Sequence, residues 1–413
     1  MAQILVQKYG GTSLGDLAKL DMVAKRIHTS LNCNSKVVVV VSAMGSFTDE
    51  LIAMANSIHT APPKRELDML VTTGERISSS LLCIALNHLG VSAISLTGSQ
   101  CGILTDETHG NARIQKIKGN RMRACLETHQ VVIVAGFQGV SPSTKDITSL
   151  GRGGSDLTAV ALAIALNADF CEINTDVDGV FTSDPRMVAK PKLINKLSWD
   201  EMLEMSWAGA GVLHHRAAFL AKKYQLPIVI RSAQEKSDKK TLIEGSKSVE
   251  ESFVTTIASK RKQIFLEYVQ ECGESVGTSG DAADVTRDYL WSIDESPLIF
   301  QVAYRGTQLH VLLVLSEQHL QSLLDELSVK GLKLEVKRRD AVSSISIIGG
   351  GFKQNPEVVK GAFSCLKKPF YFSEIKDPSI TFVIDPHDLE SCLHALHGHC
   401  FASRSIDVKP PTL

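Results

Sequence analysis

A lysine, two glycines and two hydroxyl side chains follow the first apolar run of the chain. The run Ile4–Gln7 predicts a strand, and KYGGTS (residues 8–13) comes directly after it. Glycines let backbone N–H groups approach an anion closely, and a helix predicted to begin near Gly15 adds its positive end. Because Lys8 supplies a full positive charge, this turn predicts a phosphate-binding site.

Two further glycine-rich turns follow later strands. In LGRGGSD (residues 150–156), Arg152 lies among three glycines and suits a carboxylate or phosphate bound by two hydrogen bonds. Asp156 begins a helix predicted over 156–168, a position that simple capping would also explain. The third turn is NTDVDGVFTSDPR (residues 174–186). Since neither a Walker P-loop nor a GxGxxG motif occurs, the standard nucleotide-binding folds are disfavoured.

The elements that must position these turns alternate between strands and helices over the first 245 residues. The strand candidates are apolar runs without period-two alternation, typical of strands covered on both faces. They are 4–7, 37–42, 131–136, 170–175 and 227–232. This pattern predicts an α/β three-layer sandwich with a mainly parallel sheet, whose ligands bind beyond the carboxyl ends of the strands.

A polar segment, residues 232–252, predicts a domain boundary. Beyond it, a strand-helix-strand-strand-helix-strand unit occurs twice, over 263–338 and 343–408, with its last strand near 400–408. A βαββαβ order predicts two ferredoxin-like units. Such pairs bind small effectors or serve dimerisation alone, and the sequence leaves both possibilities open.

Composition excludes several classes of partner. Lys and Arg (44) nearly balance Asp and Glu (45), so no overall charge favours nucleic acid or an anionic membrane. We expect no apolar stretch to be long enough to span a bilayer, and no signal peptide is apparent, so we expect a cytoplasmic protein. The segment CLHALHGHC (residues 392–400) could suggest zinc, but surface and half-buried histidines on a helix are the preferred interpretation.

The sequence resembles the amino-acid kinase family and, within it, the aspartate kinases. The resemblance runs from Lys8 to about Ser232, within a first domain that we place at residues 1–245. The motifs that carry it are KYGGTS, VVSAMGSFTDE, TTGERIS, GFQG, LGRGGSD, TDVDGVFTSDPR, DEML and LPIVIRS. The later units look like the tandem ACT domains that such enzymes carry for feedback control. The implied reaction is ATP-dependent phosphorylation of the L-aspartate side chain to 4-phospho-L-aspartate, the first step toward lysine, threonine and methionine, and toward diaminopimelate in bacteria.

The resemblance also implies roles for individual residues. Those implied for the nucleotide are Lys8, Tyr9, Gly10, Gly11, Ser13, Thr175, Asp176, Phe181 and Arg186. Those implied for aspartate are Ser42, Thr48, Glu75, Arg152 and Ser155. Glu75 would pair with the α-amino group and Arg152 with the α-carboxylate. Lys8 would neutralise the charge of the transferring phosphoryl group, and Asp156 would orient the Lys8 side chain. Mg²⁺ would arrive with ATP and would not occupy a metal site of the protein.

Three positions differ from the usual pattern. Relatives usually have GAKVLHP where this chain has GAGVLHH (residues 209–215), so Gly211 replaces a lysine that reaches the ATP phosphates and His215 replaces a proline. Many relatives have tyrosine at Phe181, which here keeps the apolar ring and lacks the hydroxyl. Lys222, Lys223, His214 and Arg186 are the candidates for a substitute cation.

Two alternative functions stay open at this point. One is a sibling kinase that acts on glutamate or a related acid, and the other is a catalytically silent amino-acid sensor. We further expect a homo-oligomer, a dimer through the ACT units, and an amino-acid effector that is lysine, threonine or methionine.

Overall fold

The computed structural model describes residues 4–31, 36–233, 238–245, 254–272, 281–293, 297–332, 334–352 and 354–401. The chain forms two compact units. The first consists of residues 1–180, 193–206 and 211–249, and the second of residues 181–192, 207–210 and 250–413. The segment 181–192 therefore groups with the second unit, although the sequence analysis placed it in the first domain. The predicted domain limits at 245, 263–338 and 343–408 stay predictions.

The strands up to residue 243 belong to an eight-stranded sheet, a four-stranded sheet and a short ribbon. They are β1 (Ile4–Tyr9), β2 (Lys36–Val41), β3 (Ala93–Leu96), β4 (Ile103–Thr105), β5 (Ile114–Ile117), β6 (Val131–Ala135), β7 (Gln138–Val140), β8 (Ile147–Ser149), β9 (Cys171–Thr175), β10 (Val180–Phe181), β11 (Leu193–Ile194), β12 (Lys196–Leu197), β13 (Ile228–Ser232) and β14 (Thr241–Ile243). The large sheet has the order β12-β14-β13-β9-β1-β2-β6-β3, and of its described pairings only β13–β14 is antiparallel. The sheet is thus mainly parallel, as predicted.

Helices cover both faces of this sheet. They are α1 (Leu17–Ser30), α2 (Phe47–Ile58), α3 (Lys64–Val71), α4 (Thr73–His88), α5 (Asn120–Thr128), α6 (Gly154–Leu166), α7 (Trp199–Trp207) and α8 (His215–Tyr224). Helices α1 and α4 share one apolar core with β1, β2 and β6. Helix α6 packs against β1 and β2 and is buried almost all round, because it also contacts α8. The three-layer α/β sandwich is confirmed.

Helices α3 and α4 together form a segment, 64–88, with the length and mean hydropathy of a membrane span. The expectation that no stretch of the chain meets these criteria was therefore wrong. The buried residues of this segment include Asp68 and Glu75, which accept hydrogen bonds from other parts of the first unit. Leu82 and Leu86 lie in the core shared with β1. These are the contacts of a core helix in a folded unit.

The second unit is built on one six-stranded antiparallel sheet of order β16-β17-β15-β18-β20-β19. Its strands are β15 (Val254–Glu271), β16 (Ile299–Arg305), β17 (Gln308–Ser316), β18 (Leu334–Gly349), β19 (Phe370–Lys376) and β20 (Ser379–Ile384). Its helices are α9 (Ala282–Ser292), α10 (Leu320–Val329), α11 (Pro356–Cys365) and α12 (Leu389–Phe401). The order of the described elements is that of the first predicted βαββαβ unit and of the second as far as α12.

The two repeats share strands. The first predicted unit ends at residue 338 and the second begins at residue 343, and β18 is one continuous strand across these positions. The first part of β15, Val254–Lys260, pairs with Ser344–Gly349, so residues that precede the first repeat take the sheet position beside the first strand of the second repeat. The strand predicted near 400–408 lies outside the described residues, apart from Cys400 and Phe401, which end α12.

Candidate active site

A buried ion pair lies at the carboxyl end of β1. The Nζ atom of Lys8 is 2.6 Å from Oδ1 of Asp156, and the two side chains are 13% and 12% exposed. Asp156 lies in the first turn of α6, and its Oδ2 accepts a hydrogen bond from the backbone N–H of His214 at 3.4 Å. A carboxylate at a helix start is favoured by the helix dipole. The carboxylate is therefore fixed by its surroundings and in turn fixes the ammonium group of Lys8.

The glycines after Lys8 permit close packing of two turns. A Cβ atom at Gly11 would lie 2.7 Å from the carbonyl oxygen of Ala43, and the N–H of Gly45 donates to the carbonyl of Gly11 at 3.0 Å. At Gly10, a Cβ would lie 3.4 Å from Nζ of Lys8. Gly10 and Gly11 thus leave free the space beside the ammonium group that side chains would fill.

Tyr9 does not present its ring to this site. Successive side chains of a strand point to opposite faces, so the ring of Tyr9 faces away from Lys8. It is fully buried in the core formed with α1 and α4, where burial raises the pKa of its hydroxyl. Only the backbone of Tyr9 lies at the turn, and its nucleotide role stays a prediction.

Ser13 is 1% exposed. Its Oγ has no hydrogen-bond partner among the residues that the structure describes, while its N–H donates to the carbonyl of Gly10 at 3.1 Å. In the fold, the backbone N–H of Ser13 therefore closes the glycine turn.

Glu75 is a buried carboxyl at the start of α4. It is 3% exposed, and its Oε1 accepts a hydrogen bond from the N–H of Ala43 at 3.1 Å. Burial raises the pKa of Glu75 to about 7, against the smaller opposing effect of its backbone hydrogen bonds. Its Oε2 lacks a partner within the described part of the chain. A cationic group at this oxygen would compensate the buried charge, which suits the predicted pairing with an α-amino group.

Ser42 and Thr48 flank the turn that contacts Glu75. Ser42 follows β2, and its N–H donates to the carbonyl of Tyr9 at 3.1 Å. Thr48 is half-buried in the first turn of α2. The 42–48 segment thus lies between the glycine turn and Glu75, at one end of the sheet.

The turn that carries Arg152 is held open by glycines. Gly153 has a φ of +65° and no room for a side chain, because a Cβ would lie 2.2 Å from atoms of His214. Arg152 is exposed, whereas Ser155 is 7% exposed. A Cβ at Gly136 would lie 2.9 Å from Oγ of Ser155. The geometry buries Ser155 at the helix start and leaves the guanidinium of Arg152 accessible.

Two residues that the sequence analysis did not identify anchor this turn. Arg216 donates from Nη1 to the carbonyl of Leu150 at 2.5 Å and from Nη2 to the carbonyl of Ala112 at 2.8 Å. Asp68, which is 1% exposed, accepts from Oγ of Ser149 at 2.5 Å. These side chains fix β8 and the loop that follows it. The sequence could have indicated Asp68, because this charged residue lies three positions before the buried Val71 of α3, at the spacing of a core position.

The third predicted turn is divided between the two units. Thr175 ends β9 in the first unit and Asp176 follows it, and Oγ1 of Thr175 donates to Oδ1 of Asp176 at 3.1 Å. Phe181 and Arg186 belong to the second unit. The guanidinium of Arg186 donates twice to Asp184, at 3.0 and 2.9 Å, which lowers the pKa of that carboxyl. The nucleotide roles of these residues stay predictions.

Comparison with known proteins supplies a family. A model of the amino acid kinase family matches residues 3–232. An aspartokinase from Geobacillus stearothermophilus is 40% identical over 411 residues, which cover 95% of this chain and 96% of that protein.

Two solved structures of E. coli aspartokinase III share the fold. One, in complex with aspartate and ADP (R-state), has a TM-score of 0.79 at 23% identity and covers 97% of this chain and 100% of that one. The other, in complex with lysine and aspartate (T-state), has a TM-score of 0.70 at 24% identity with the same coverage.

Proposed function

The chain belongs to the amino acid kinase family and within it to the aspartokinases, and we propose that it transfers the γ-phosphoryl group of ATP to the side-chain carboxylate of L-aspartate. The product would be 4-phospho-L-aspartate. The observation that carries the proposal is the ion pair between Lys8 and Asp156, 2.6 Å long, beside a glycine turn with no side chains. This arrangement offers a fixed positive charge, and the glycines let a phosphate approach the backbone closely.

The acceptor needs no general base. A free aspartate side chain has a pKa of about 3.9 and is already an anion at neutral pH. The barrier then lies in bringing two anions together, so catalysis depends on position and on positive charge at the transferring group. Lys8 supplies that charge. Asp156 keeps the ammonium group in place and takes no proton from the acceptor.

Recognition of aspartate would rest on two charged residues. Glu75 would receive the α-amino group at its unpaired Oε2. The exposed guanidinium of Arg152 would bind the α-carboxylate by two parallel hydrogen bonds. Ser42, Thr48 and Ser155 would add hydrogen bonds.

ATP would enter as its magnesium complex. No group of three or more histidine, cysteine, aspartate or glutamate side chains that could hold a metal ion occurs in the described ranges of the chain. Mg²⁺ binds readily through phosphates and water, so the nucleotide can carry the ion. When bound, it adds positive charge at the phosphates. Gly10 and Gly11 would contact the phosphates, while Thr175, Asp176, Phe181 and Arg186 would hold the rest of the nucleotide.

We further propose a regulated biosynthetic role. The product would lead to lysine, threonine and methionine, and to diaminopimelate, in the cytoplasm. The support for regulation is the paired βαββαβ sheet of the second unit and the lysine complex of E. coli aspartokinase III. The units would bind lysine, threonine or methionine and join two copies into a dimer. Adding each amino acid, alone and in pairs, to the full-length enzyme tests this, and no response to any of them would contradict it.

The catalytic proposal is tested by trapping the acyl phosphate with hydroxylamine. Incubation with MgATP and L-aspartate should give aspartyl hydroxamate, with little product from L-glutamate. A preference for glutamate would identify a sibling kinase. Tight aspartate binding without any hydroxamate would identify a sensor that has lost catalysis.

A further inference from the structure

The hairpin formed by residues 181–192 carries Phe181 and Arg186 at its start and middle. Its base is closed by two hydrogen bonds: the N–H of Thr182 donates to the carbonyl of Lys192 at 2.9 Å, and the N–H of Lys192 donates to Oγ1 of Thr182 at 3.0 Å. The chain enters it from Val180 and leaves it at Leu193, both in the first unit, yet the hairpin packs with the second.

Strand β15 binds the base of this hairpin. The N–H of Ile257 donates to the carbonyl of Thr182 at 2.9 Å, and Oγ1 of Thr256 donates to the carbonyl of Phe181 at 3.0 Å. Val188, near the hairpin tip, is 5% exposed and lies in the apolar core of the second repeat. The hairpin is therefore anchored at both its base and its tip.

Two histidines of α12 add the side-chain contacts. Nε2 of His397 lies 3.1 Å from Oγ1 of Thr182, and Nε2 of His394 lies 2.7 Å from the carbonyl oxygen of Met187. A carbonyl only accepts, so Nε2 of His394 carries the proton and donates it. Residues three apart lie on one face of a helix, which places both rings against the hairpin.

These contacts account for two of the three histidines of CLHALHGHC (residues 392–400). Leu393 and Leu396 are buried and form the core side of α12, while His394 and His397 lie toward the hairpin. The partners of the two rings are a threonine hydroxyl and a backbone carbonyl of the hairpin.

We propose that His394 and His397 are positioning residues for nucleotide binding. By fixing the 181–192 hairpin on α12, they set where Phe181 and Arg186 stand. The proposal rests on the proposed function, because it takes this hairpin to contact ATP. Its consequence is specific: a perturbation of α12 should change nucleotide affinity and leave aspartate affinity unaltered, since none of the residues assigned to aspartate lies on the hairpin.

The test uses the full-length enzyme, four variants of the two histidines and one control variant. His397→Phe keeps an aromatic ring, which packs 4.8 Å from the ring of Phe401, and removes the hydrogen bond to Thr182. His394→Phe does the same at the second contact, and the double variant removes both. His397→Gln places an amide near the former Nε2 and should restore part of the function. His387→Phe, at an exposed histidine just before α12, is the matched control.

The measurements are the Michaelis constants for ATP and aspartate, and the dissociation constant for MgADP by calorimetry. One hydrogen bond corresponds to about a three- to tenfold change in affinity. We expect the double variant to raise the MgADP dissociation constant and the ATP Michaelis constant by about tenfold. The aspartate Michaelis constant should stay within about twofold, and the His387→Phe enzyme should match the unmodified one.

Arg186→Ala, measured in parallel, tests separately whether the hairpin binds the nucleotide and whether the histidines position it. If Arg186→Ala leaves MgADP affinity unchanged, the hairpin does not bind the nucleotide and that part of the proposed function fails. If Arg186→Ala weakens MgADP binding while the double histidine variant does not, the positioning proposal is wrong. Equal losses of ATP and aspartate affinity, together with a lower melting temperature, would also overturn it, since they indicate a purely structural role.

Discussion

Glu75 is expected to make the Michaelis constant for aspartate depend on pH. Its carboxyl is 3% exposed, and burial raises its pKa from the ordinary 4.5 to about 7. This shift corresponds to about 3 kcal/mol against the charged form in the empty site. Only the charged form pairs with an α-ammonium group, so binding must draw on the ionised fraction of Glu75.

The size of the effect follows from that pKa. About nine-tenths of Glu75 is ionised at pH 8 and about one-tenth at pH 6. The aspartate Michaelis constant should therefore rise about tenfold as the pH falls from 8 to 6, while turnover at saturating aspartate changes much less. The β-carboxyl of the substrate is ionised throughout this range. An accessible glutamate of ordinary pKa would give almost no change.

Glu75→Gln is the control, measured by steady-state kinetics at five pH values between 6 and 8. It should raise the aspartate Michaelis constant and remove its dependence on pH. The folded state holds the proton of Glu75 more tightly than the unfolded state does, so this group's contribution to stability is present below pH 4.5 and is lost as the pH rises through about 7. Glu75→Gln should therefore raise the melting temperature at pH 8. A flat profile in the unmodified enzyme, or the same slope in Glu75→Gln, would refute the assignment.

Three further substitutions test neighbouring parts of the site. Arg152→Lys keeps the charge and loses the paired hydrogen bonds, so the aspartate Michaelis constant should rise about tenfold; a change in the ATP constant alone would show that Arg152 binds the other substrate. Asp68→Asn should loosen the turn before Arg152 and raise the aspartate constant at least fivefold. Asp146→Asn is the control for Asp68→Asn. It removes a hydrogen-bond partner of Arg65, which lies on α3 like Asp68, and it should leave the aspartate Michaelis constant unchanged. Gly211→Lys has open space around its Cβ, so it should fold normally and improve ATP binding or turnover; unchanged ATP parameters would mean that another cation already serves the phosphates.

The first unit was largely predictable because its strands are buried on both faces. Such strands need apolar side chains at every position, and Lys36–Val41 and Val131–Ala135 therefore appear as unbroken valine-rich runs. The first and third turns follow β1 and β9 of the same sheet, so their place at its edge came with the strands, whereas the second turn follows β8 of the smaller sheet. The pairing of Lys8 with Asp156 agrees with this expectation.

Contacts between distant segments explain what was not predicted. Arg338 lies over the rings of Phe265 and Tyr371, at 4.9 and 4.8 Å, within the continuous strand β18, and both rings belong to other strands. Local patterns do not contain such partners.

The same limit applies to the anchoring of the candidate site. The role of Asp68 depends on Ser149, and that of Arg216 on the carbonyls of Leu150 and Ala112. These partners are distant in the sequence. Without them, the sequence gives no reason for the charged side chains of Asp68 and Arg216 to lie inside the fold.

Lys8→Ala tests the central proposal most directly. Its ammonium group, 2.6 Å from Asp156, is assigned to the transferring phosphoryl group and not to aspartate. Loss of such a charge in a water-poor site should lower the turnover number by about 10² to 10³. The dissociation constant for aspartate, measured by calorimetry without ATP, should stay within about threefold. An unchanged turnover number would remove Lys8 from the chemistry, and a large loss of aspartate affinity with normal turnover would place it in substrate binding instead.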